Sequence, residues 1–155
     1  MKKNSIDISK LIGVPQNRFH PLAFINGQPK IGKNVCVGFF SEVNAKGAEV
    51  VIGDNCDIAS FVSINVADSH KRAIGLSGEI ERKNITIEKN VFIGSHCFVG
   101  GGVHVGHHSV IAAGTILTKP CQIPPFSLVV GCPPVVKAEY YKKNFEKKSK
   151  SKKNN

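Results

Sequence analysis

The chain has 155 residues, enough for one domain, and a formal net charge of +10. Eight lysines against two glutamates in residues 137–155 supply +6 of that charge, which leaves +4 on the rest and argues against a nucleic-acid-binding domain. No stretch approaches the roughly 18 apolar residues of a membrane span, so we expect a cytoplasmic protein without a transmembrane segment.

The first 30 residues carry no repeat. Residues 5–12 could form one or two helical turns, which Pro15 would end, and Pro21 and Pro29 interrupt the chain before residue 31. We therefore expect residues 1–30 to form an N-terminal cap.

From residue 31 onward an aliphatic residue recurs at every sixth position through most of the chain. These anchors are Ile31, Val37, Val43, Ile52, Ile58, Ile64, Ile87, Ile93, Val99, Val105, Ile111, Leu117, Ile123 and Val129. A period of six fits neither an α-helix nor an ordinary strand, but it is typical of a parallel β-helix whose triangular coil contains three six-residue units. The sequence therefore predicts an all-β solenoid.

The anchors divide residues 31–134 into four coils and a partial fifth, which cover residues 31–48, 52–69, 87–104, 105–122 and 123–134. Three extra residues separate the first two coils. A 17-residue insertion, residues 70–86, separates coils two and three. Because insertions in solenoids form loops on one face, commonly the functional one, this break is the first place to look for a site.

The C-terminal segment, residues 135–155, begins after Pro133 and Pro134. These prolines are expected to end strand pairing, since proline cannot donate to a ladder. A helix is predicted over residues 135–145, folded back on the coils. The lysine-rich end is expected to be a solvated tail, with binding to polyanions or acidic membranes as the minor alternative.

The five cysteines form no CxxC motif. Cys56, Cys97 and Cys121 stand four positions after an anchor, where most residues are small and a second inward site is expected. We predict reduced cysteines that pack as small buried hydrophobic residues, with no metal.

Residues 93–137 resemble the hexapeptide-repeat acyltransferases, especially the maltose, galactoside and xenobiotic O-acetyltransferase group. The similarity lies in NVFIGS, GVxxG, SVIAAGTxxTK, IPP and GxPP, in that order and spacing. With the upstream coils it covers roughly residues 31–137. It implies a left-handed parallel β-helix, a homotrimer, and acetyl-CoA bound between neighbouring prisms as the donor for a sugar acceptor.

The resemblance also implies a catalytic histidine where the coil meets an inserted loop, which is His70 here. An imidazole with a pKa near 6.5 suits a general base that removes a proton from an acceptor hydroxyl as it attacks the thioester. Asp68 or Glu79 could orient the ring. Asp68 also falls at an inward position of the repeat, so a structural role is an equal alternative.

Several residues match the family's cofactor contacts. Ser95 matches a pantetheine-contacting serine, and Ala113 with Gly114 form the small pair one coil beyond it. Thr118 and Lys119 match the TK pair near the nucleotide end. Past GxPP the family often has an arginine for the CoA phosphates, whereas this chain has Lys137 and then the lysines of the tail.

The acceptor site is less defined by the sequence. Phe92 stands where the family often has a tryptophan and is expected to wall the acceptor site. Ser41, Glu42 and Asn44 are candidates for the family's acceptor-binding asparagine region. Glu42 near the site would favour an amino acceptor.

Three other functions remain open. N-acetylation of an amino sugar or sugar nucleotide would use the same base and thioester. A zinc-dependent carbonic anhydrase would need three converging imidazoles, and His96, His107 and His108 are predicted on exposed corners, which disfavours it. The third alternative is a non-enzymatic trimeric scaffold or a binding module that uses the basic tail.

Overall fold

The computed structural model describes residues 8–14 and 16–151. A short helix, α1 (Ile8–Leu11), precedes the solenoid, within the predicted helical residues 5–12, of which 5–7 lie outside the described part. The strands of the first two coils are β1 (Phe24–Asn26), β2 (Lys30–Ile31), β3 (Cys36–Val37), β4 (Glu42–Asn44), β5 (Val50–Ile52), β6 (Asp57–Ile58) and β7 (Ser63–Asn65).

An excursion from the solenoid follows. It contains β8 (Ala67–Asp68), α2 (His70–Ala73) and β9 (Glu81–Arg82). The later coils contain β10 (Ile85–Ile87), β11 (Phe92–Ile93), β12 (Phe98–Gly100), β13 (Val103–Val105), β14 (Val110–Ile111), β15 (Ile116–Leu117), β16 (Cys121–Ile123) and β17 (Leu128–Val130). The chain ends in β18 (Val135–Lys137) and α3 (Lys142–Ser151).

The strands stack into three parallel sheets, which form the faces of a left-handed triangular prism. Face A is ordered β1-β4-β7-β12-β15, face B is β16-β13-β10-β5-β2, and face C is β17-β14-β11-β6-β3 with β18 added at its end. Anchors lie directly above one another, as Ile52 does with Ile31 and Ile87. The predicted β-helix is confirmed.

The core follows from the two inward positions of the repeat. Anchors such as Val43, Ile64, Ile93 and Val105 have no exposed surface. Small side chains fill the second inward position, and the buried hydroxyls there are hydrogen-bonded, as when Thr115 Oγ1 donates to the Val129 carbonyl oxygen at 3.4 Å. Because the coils stack closely, aliphatic residues occupy the first inward position of the repeat and small residues occupy the second.

The solenoid begins inside the segment predicted as a cap. β1 pairs in parallel with β4, and Ile25 lies in register with Val43. Residues 70–86, predicted as the insertion, include β9 and the first residues of β10, so the excursion begins and ends a few residues earlier than the anchors suggested.

The C-terminal segment differs from its prediction. Residues 135–137 form a strand antiparallel to β17, and the helix starts only at residue 142. The two prolines stop the parallel coil, but the chain then reverses, and the β-branched pair Val135 and Val136 suits a strand. Within the described residues no helix is long and apolar enough to cross a membrane.

Candidate active site

The excursion leaves the prism at the corner between faces A and B. Its two ends pair as antiparallel strands, β8 and β9, and α2 begins at His70 just after β8. An ion pair between Lys71 and Glu81 ties α2 to β9. The Arg82 guanidinium donates to the Lys46 carbonyl oxygen at 2.9 Å. These contacts hold the excursion against the corner.

His70 and Asp68 form a hydrogen-bonded pair. Asp68 Oδ1 lies 2.6 Å from His70 Nδ1 and accepts the His70 backbone N–H at 3.0 Å. These hydrogen bonds from His70 hold the pKa of Asp68 below its usual value, so the carboxyl is ionised and Nδ1 carries the proton. His70 Nε2 is then the basic nitrogen of an exposed imidazole, which is the arrangement of a general base with an orienting carboxylate.

The inward position predicted for Asp68 is wrong, since its side chain is 54% exposed. Ile64 and Val66 fill the core at this point, and Asp68 follows where the chain has already turned outward into β8. Glu79, the other predicted orienting group, is exposed, and its backbone N–H donates to the Ser77 hydroxyl at 3.1 Å. Asp68, not Glu79, is hydrogen-bonded to the imidazole of His70.

A cavity of about 190 Å³ opens at the same corner. We call it the corner cavity. Asp68 and Thr118 line it together with four side chains that the sequence analysis did not select, Asn65, Glu81, Lys83 and Phe98. The asparagine could have been found from its spacing to Asn26 and Asn44 on the same face. Glu81 and Lys83 reach the cavity because the excursion folds back to the corner, and no local sequence pattern predicts this path.

Ser95, Ala113 and Gly114 lie at a different corner, between faces C and A. The Gly114 N–H donates to the Ser95 carbonyl oxygen at 2.9 Å, so these two corners stack one coil apart. Ala113 and Gly114 are exposed and Ser95 is half-buried. A groove of about 540 Å³ reaches from Ser95 to His20. The exposed backbone at this corner leaves room for an extended ligand.

Thr118 and Lys119 are exposed at the corner between faces A and B, in the second coil after the excursion. Thr118 lines the corner cavity with Asp68. Both residues also border a cavity of about 390 Å³ formed mainly by Ile116, Leu117 and the prolines after Cys132. Within one chain, the TK pair therefore shares a corner with His70 and not with Ser95.

Phe92 and Lys137 are exposed on face C. Phe92 borders a cavity of about 390 Å³ together with Tyr141 and Phe145. Lys137 is the last residue of β18, opposite Leu128. The structure does not bring Phe92 to His70 within one chain.

Of the three acceptor candidates in coil one, Ser41 requires a correction. It is buried, and its hydroxyl donates to the Ala59 carbonyl oxygen at 2.7 Å, so it is part of the core and cannot contact an acceptor. Glu42 Oε2 accepts the Ser63 hydroxyl at 3.1 Å on the outer side of face A. Asn44 Nδ2 donates to Asn65 Oδ1 at 3.3 Å, and Asn65, not Asn44, lines the corner cavity.

Comparisons with known proteins agree with this architecture. A family model described as the hexapeptide repeat of succinyl-transferase matches residues 84–119. Galactoside O-acetyltransferase of Escherichia coli (strain K12) is 38% identical over 108 residues, which are 66% of this chain and 52% of the relative. The chain belongs to the hexapeptide-repeat acyltransferase family. It spans about half the length of that relative.

Solved structures place this hexapeptide-repeat protein in the same family. A galactoside acetyltransferase in complex with coenzyme A is 31% identical with a TM-score of 0.55, and the match covers 79% of this chain and 66% of the other. A maltose O-acetyltransferase from Clostridium difficile 630 is 25% identical with a TM-score of 0.60, covering 85% and 72% of the two chains.

The remaining histidines of this hexapeptide-repeat protein bind other protein groups. His96 stacks on Phe61 with ring centroids 4.9 Å apart. His104 Nε2 lies 2.9 Å from Glu88 Oε1, and the His104 hydrogen bond lowers the pKa of Glu88. His107 and His108, predicted on exposed corners, are instead half-buried and face each other through their Nδ1 atoms at 2.9 Å. The described part of the chain holds no group of three or more metal-ligating side chains.

The five cysteines are free thiols. Cys56 and Cys97 are buried as predicted, and burial raises the pKa of both. Cys121 is half-buried. Cys36 and Cys132 are exposed, which corrects their predicted burial, because Cys36 occupies the outward position of β3 and Cys132 lies in the turn after β17.

Proposed function

We propose that this protein is an acetyl-CoA-dependent acetyltransferase that acetylates a hydroxyl of a sugar or glycan precursor. The observation that carries the proposal is the His70–Asp68 pair beside the corner cavity. The similarity to galactoside and maltose O-acetyltransferases supports the reaction class. A cytoplasmic step in polysaccharide biosynthesis fits this chemistry.

His70 acts as the general base in this reaction. Its Nε2 takes the proton of the acceptor hydroxyl as that oxygen attacks the thioester carbonyl, a role worth about 10²- to 10⁴-fold in rate. Asp68 holds the ring and stabilises the imidazolium that forms. When the tetrahedral intermediate collapses, the C–S bond breaks and His70 returns the proton to the departing thiolate, giving the acetyl ester and free CoA.

The donor would lie along the stacked corner residues. Ser95, Ala113 and Gly114 leave room for a pantetheine chain close to the backbone. Thr118 and Lys119 would meet the nucleotide end, and Lys137 is a further cation for the phosphates. The coenzyme A bound to the galactoside acetyltransferase supports this choice of donor.

The active assembly is proposed to be a homotrimer. His70 and the Ser95–Ala113 column lie at different corners of one prism, so a single chain does not unite them. A neighbouring copy that packs its corner between faces C and A against the corner between faces A and B would complete the site. A cyclic arrangement of three copies makes three such sites.

A thiol-release assay tests the proposal. Acetyl-CoA is offered with neutral hexopyranosides, amino sugars, sugar nucleotides and chloramphenicol, and the product is identified by mass spectrometry. We expect O-acetylation of a neutral sugar and its loss in His70→Ala, while the trimer and CoA binding persist. Acetylation of amines alone would favour the N-acetyltransferase alternative. Retained activity in His70→Ala would remove His70 as the base.

A further inference from the structure

Three asparagines form a hydrogen-bonded ladder along the outer side of face A. Asn26 Nδ2 donates to Asn44 Oδ1 at 3.2 Å, and Asn44 Nδ2 donates to Asn65 Oδ1 at 3.3 Å. The three residues are in register across β1, β4 and β7. We call them the asparagine ladder.

Backbone donors fix the direction of this ladder. The Lys46 N–H donates to Asn44 Oδ1 at 3.1 Å, and the Ala67 N–H donates to Asn65 Oδ1 at 2.9 Å. Because a backbone N–H can only donate, these amide oxygens must face it, and the NH₂ groups must point the other way. Every NH₂ in the ladder therefore points toward the next coil.

The ladder stops at the corner cavity. The residue in register with Asn65 on β12 is Gly100, which has no side chain to accept another hydrogen bond. Asn65 Nδ2 thus makes no hydrogen bond to any residue that the structure describes, and both Asn65 and Gly100 line the cavity. A fourth asparagine would have closed the ladder. Its replacement by glycine leaves an oriented amide donor beside the His70–Asp68 pair.

The other charges around the cavity are already balanced. Asp68 accepts from His70, and Glu81 pairs with Lys71 and lies 3.9 Å from Lys83. The hydrogen bond from Lys71 lowers the pKa of Glu81, which is therefore ionised. No single sign of charge dominates, so neither a cationic nor an anionic acceptor has an unpaired partner here.

The remaining wall suits a pyranose ring. Phe98, half-buried on face A, offers an apolar ring, and the carboxylates of Asp68 and Glu81, which line the same cavity, offer hydrogen-bond acceptors. A sugar likewise combines an apolar C–H face with a rim of hydroxyls that donate and accept hydrogen bonds. A pocket with an apolar wall and a few oriented polar groups is typical of small-ligand sites.

We propose that the corner cavity is the acceptor subsite, that it takes an uncharged pyranose, and that the Asn65 amide donates a hydrogen bond to a sugar oxygen. This inference rests on the proposed function, since it names the acceptor class at the same site. Asn65 is a specificity-determining residue, and the ladder holds its amide in the required orientation before the sugar binds.

The test uses Asn65→Asp in the 155-residue chain. A carboxylate keeps an oxygen for the Ala67 N–H and for the Asn44 amide but cannot donate to the sugar. The matched control is Asn55→Asp at the corner between faces B and C, where the side-chain oxygen likewise accepts a hydrogen bond from an asparagine amide, that of Asn34 at 3.2 Å. With a neutral sugar identified in the thiol-release assay, we expect KM for the sugar to rise roughly tenfold in Asn65→Asp only. KM for acetyl-CoA and the melting temperature should match those of the control.

Binding without turnover separates this inference from the proposed function. The Asn65 side-chain amide signal, assigned by its loss in Asn65→Asp, is followed by NMR during titration with methyl galactoside, methyl glucoside and methyl mannoside, then with methyl glucosaminide and sialic acid. A shift with a neutral glycoside supports the subsite even if no acetyl transfer is found. Acetyl transfer without any shift, or a shift only with the charged sugars, overturns it.

Discussion

Asp68 and His70 form a pair because only one residue separates them in a segment that has already left the coil. Asp68 accepts both the ring N–H and the backbone N–H of His70, so the carboxylate fixes the imidazole and the start of α2 together. Its lowered pKa keeps it ionised through the neutral range. The three residues from Asp68 to His70 therefore set the orientation of the base.

Asp68→Asn should lower kcat by about 10²- to 10⁴-fold, by analogy with the loss of a base's orienting carboxylate. An amide can no longer stabilise the imidazolium, and its NH₂ can turn toward Nδ1 and favour the wrong tautomer. Steady-state kinetics with the identified acceptor would measure the effect. Glu79→Gln is the control, since it changes a carboxylate in the same excursion without contact to His70. Equal losses in the two variants would contradict the role given to Asp68.

The coil corners depend on glycines that have no room for a side chain. At Gly94 an added Cβ would lie 2.5 Å from the Ala113 backbone nitrogen. The closeness of the neighbouring coil therefore requires glycine at this corner. Three residues past an anchor the backbone instead takes a positive φ, as at Asn34, Asn55 and Asn90. The hexads that begin at Ile31, Ile52 and Ile93 thus combine a glycine in close contact with the neighbouring coil and a residue with positive φ.

Gly94→Ala should lower the free energy of unfolding by roughly 1–3 kcal/mol, because the backbone of coil four must shift to accept the methyl group. Gly78→Ala is the matched control, since an added Cβ there meets nothing within 4 Å and its φ is not in the left-handed region. Urea denaturation of both variants would measure the difference. A Gly94→Ala protein as stable as Gly78→Ala would show that neighbouring coils can separate without cost.

The C-terminal element packs on the solenoid through aromatic side chains. Phe145 contacts His108 at 4.7 Å and Phe126 at 5.2 Å between ring centroids. Burial, helped by His107 and Lys89, lowers the pKa of His108. The docked helix therefore favours a neutral ring at this position.

Stability should fall as the pH drops from 7.5 to 5.5. His108 has a lower pKa in the folded protein than in the unfolded chain, so the unfolded chain binds the proton more readily below about pH 6.5. Melting temperatures across this range would measure the effect. In His108→Gln the part of the pH dependence that comes from this ring should disappear. An unchanged pH dependence in the variant would assign it to other groups.

At the scale of the whole molecule, the two halves of the proposed site occupy different corners. The excursion and the corner cavity lie between faces A and B, while Ser95 and Ala113 lie between faces C and A. A prism cannot bring two of its own corners together. In the proposed homotrimer, the contacts between copies would therefore determine which His70 lies beside which Ser95–Ala113 pair.

Mixing two inactive variants tests this arrangement. The His70→Ala variant lacks the base. In Ala113→Trp the indole ring blocks the place proposed for the pantetheine chain of acetyl-CoA, beside Ser95 and Ala113. A homotrimer of either variant should therefore be inactive. An equimolar random mixture of the two chains should regain about a quarter of the wild-type activity, since about one interface in four combines both intact halves. Activity would be measured after unfolding and refolding the two variants together. No recovery, with mixed trimers present, would place both halves of the site in one chain.

The repeat, the coil register and the excursion that contains His70 were predictable from the sequence, because a period of six fixes which side chains point inward and a break in it marks an excursion. The sequence did not reveal β18 or the outward position of Asp68, since both depend on where the chain leaves the ladder. Only the tertiary structure brought Asn65, Glu81 and Lys83 to one cavity. These residues are separated by an excursion whose path is set by long-range pairing and ion pairs, and local patterns do not encode such contacts.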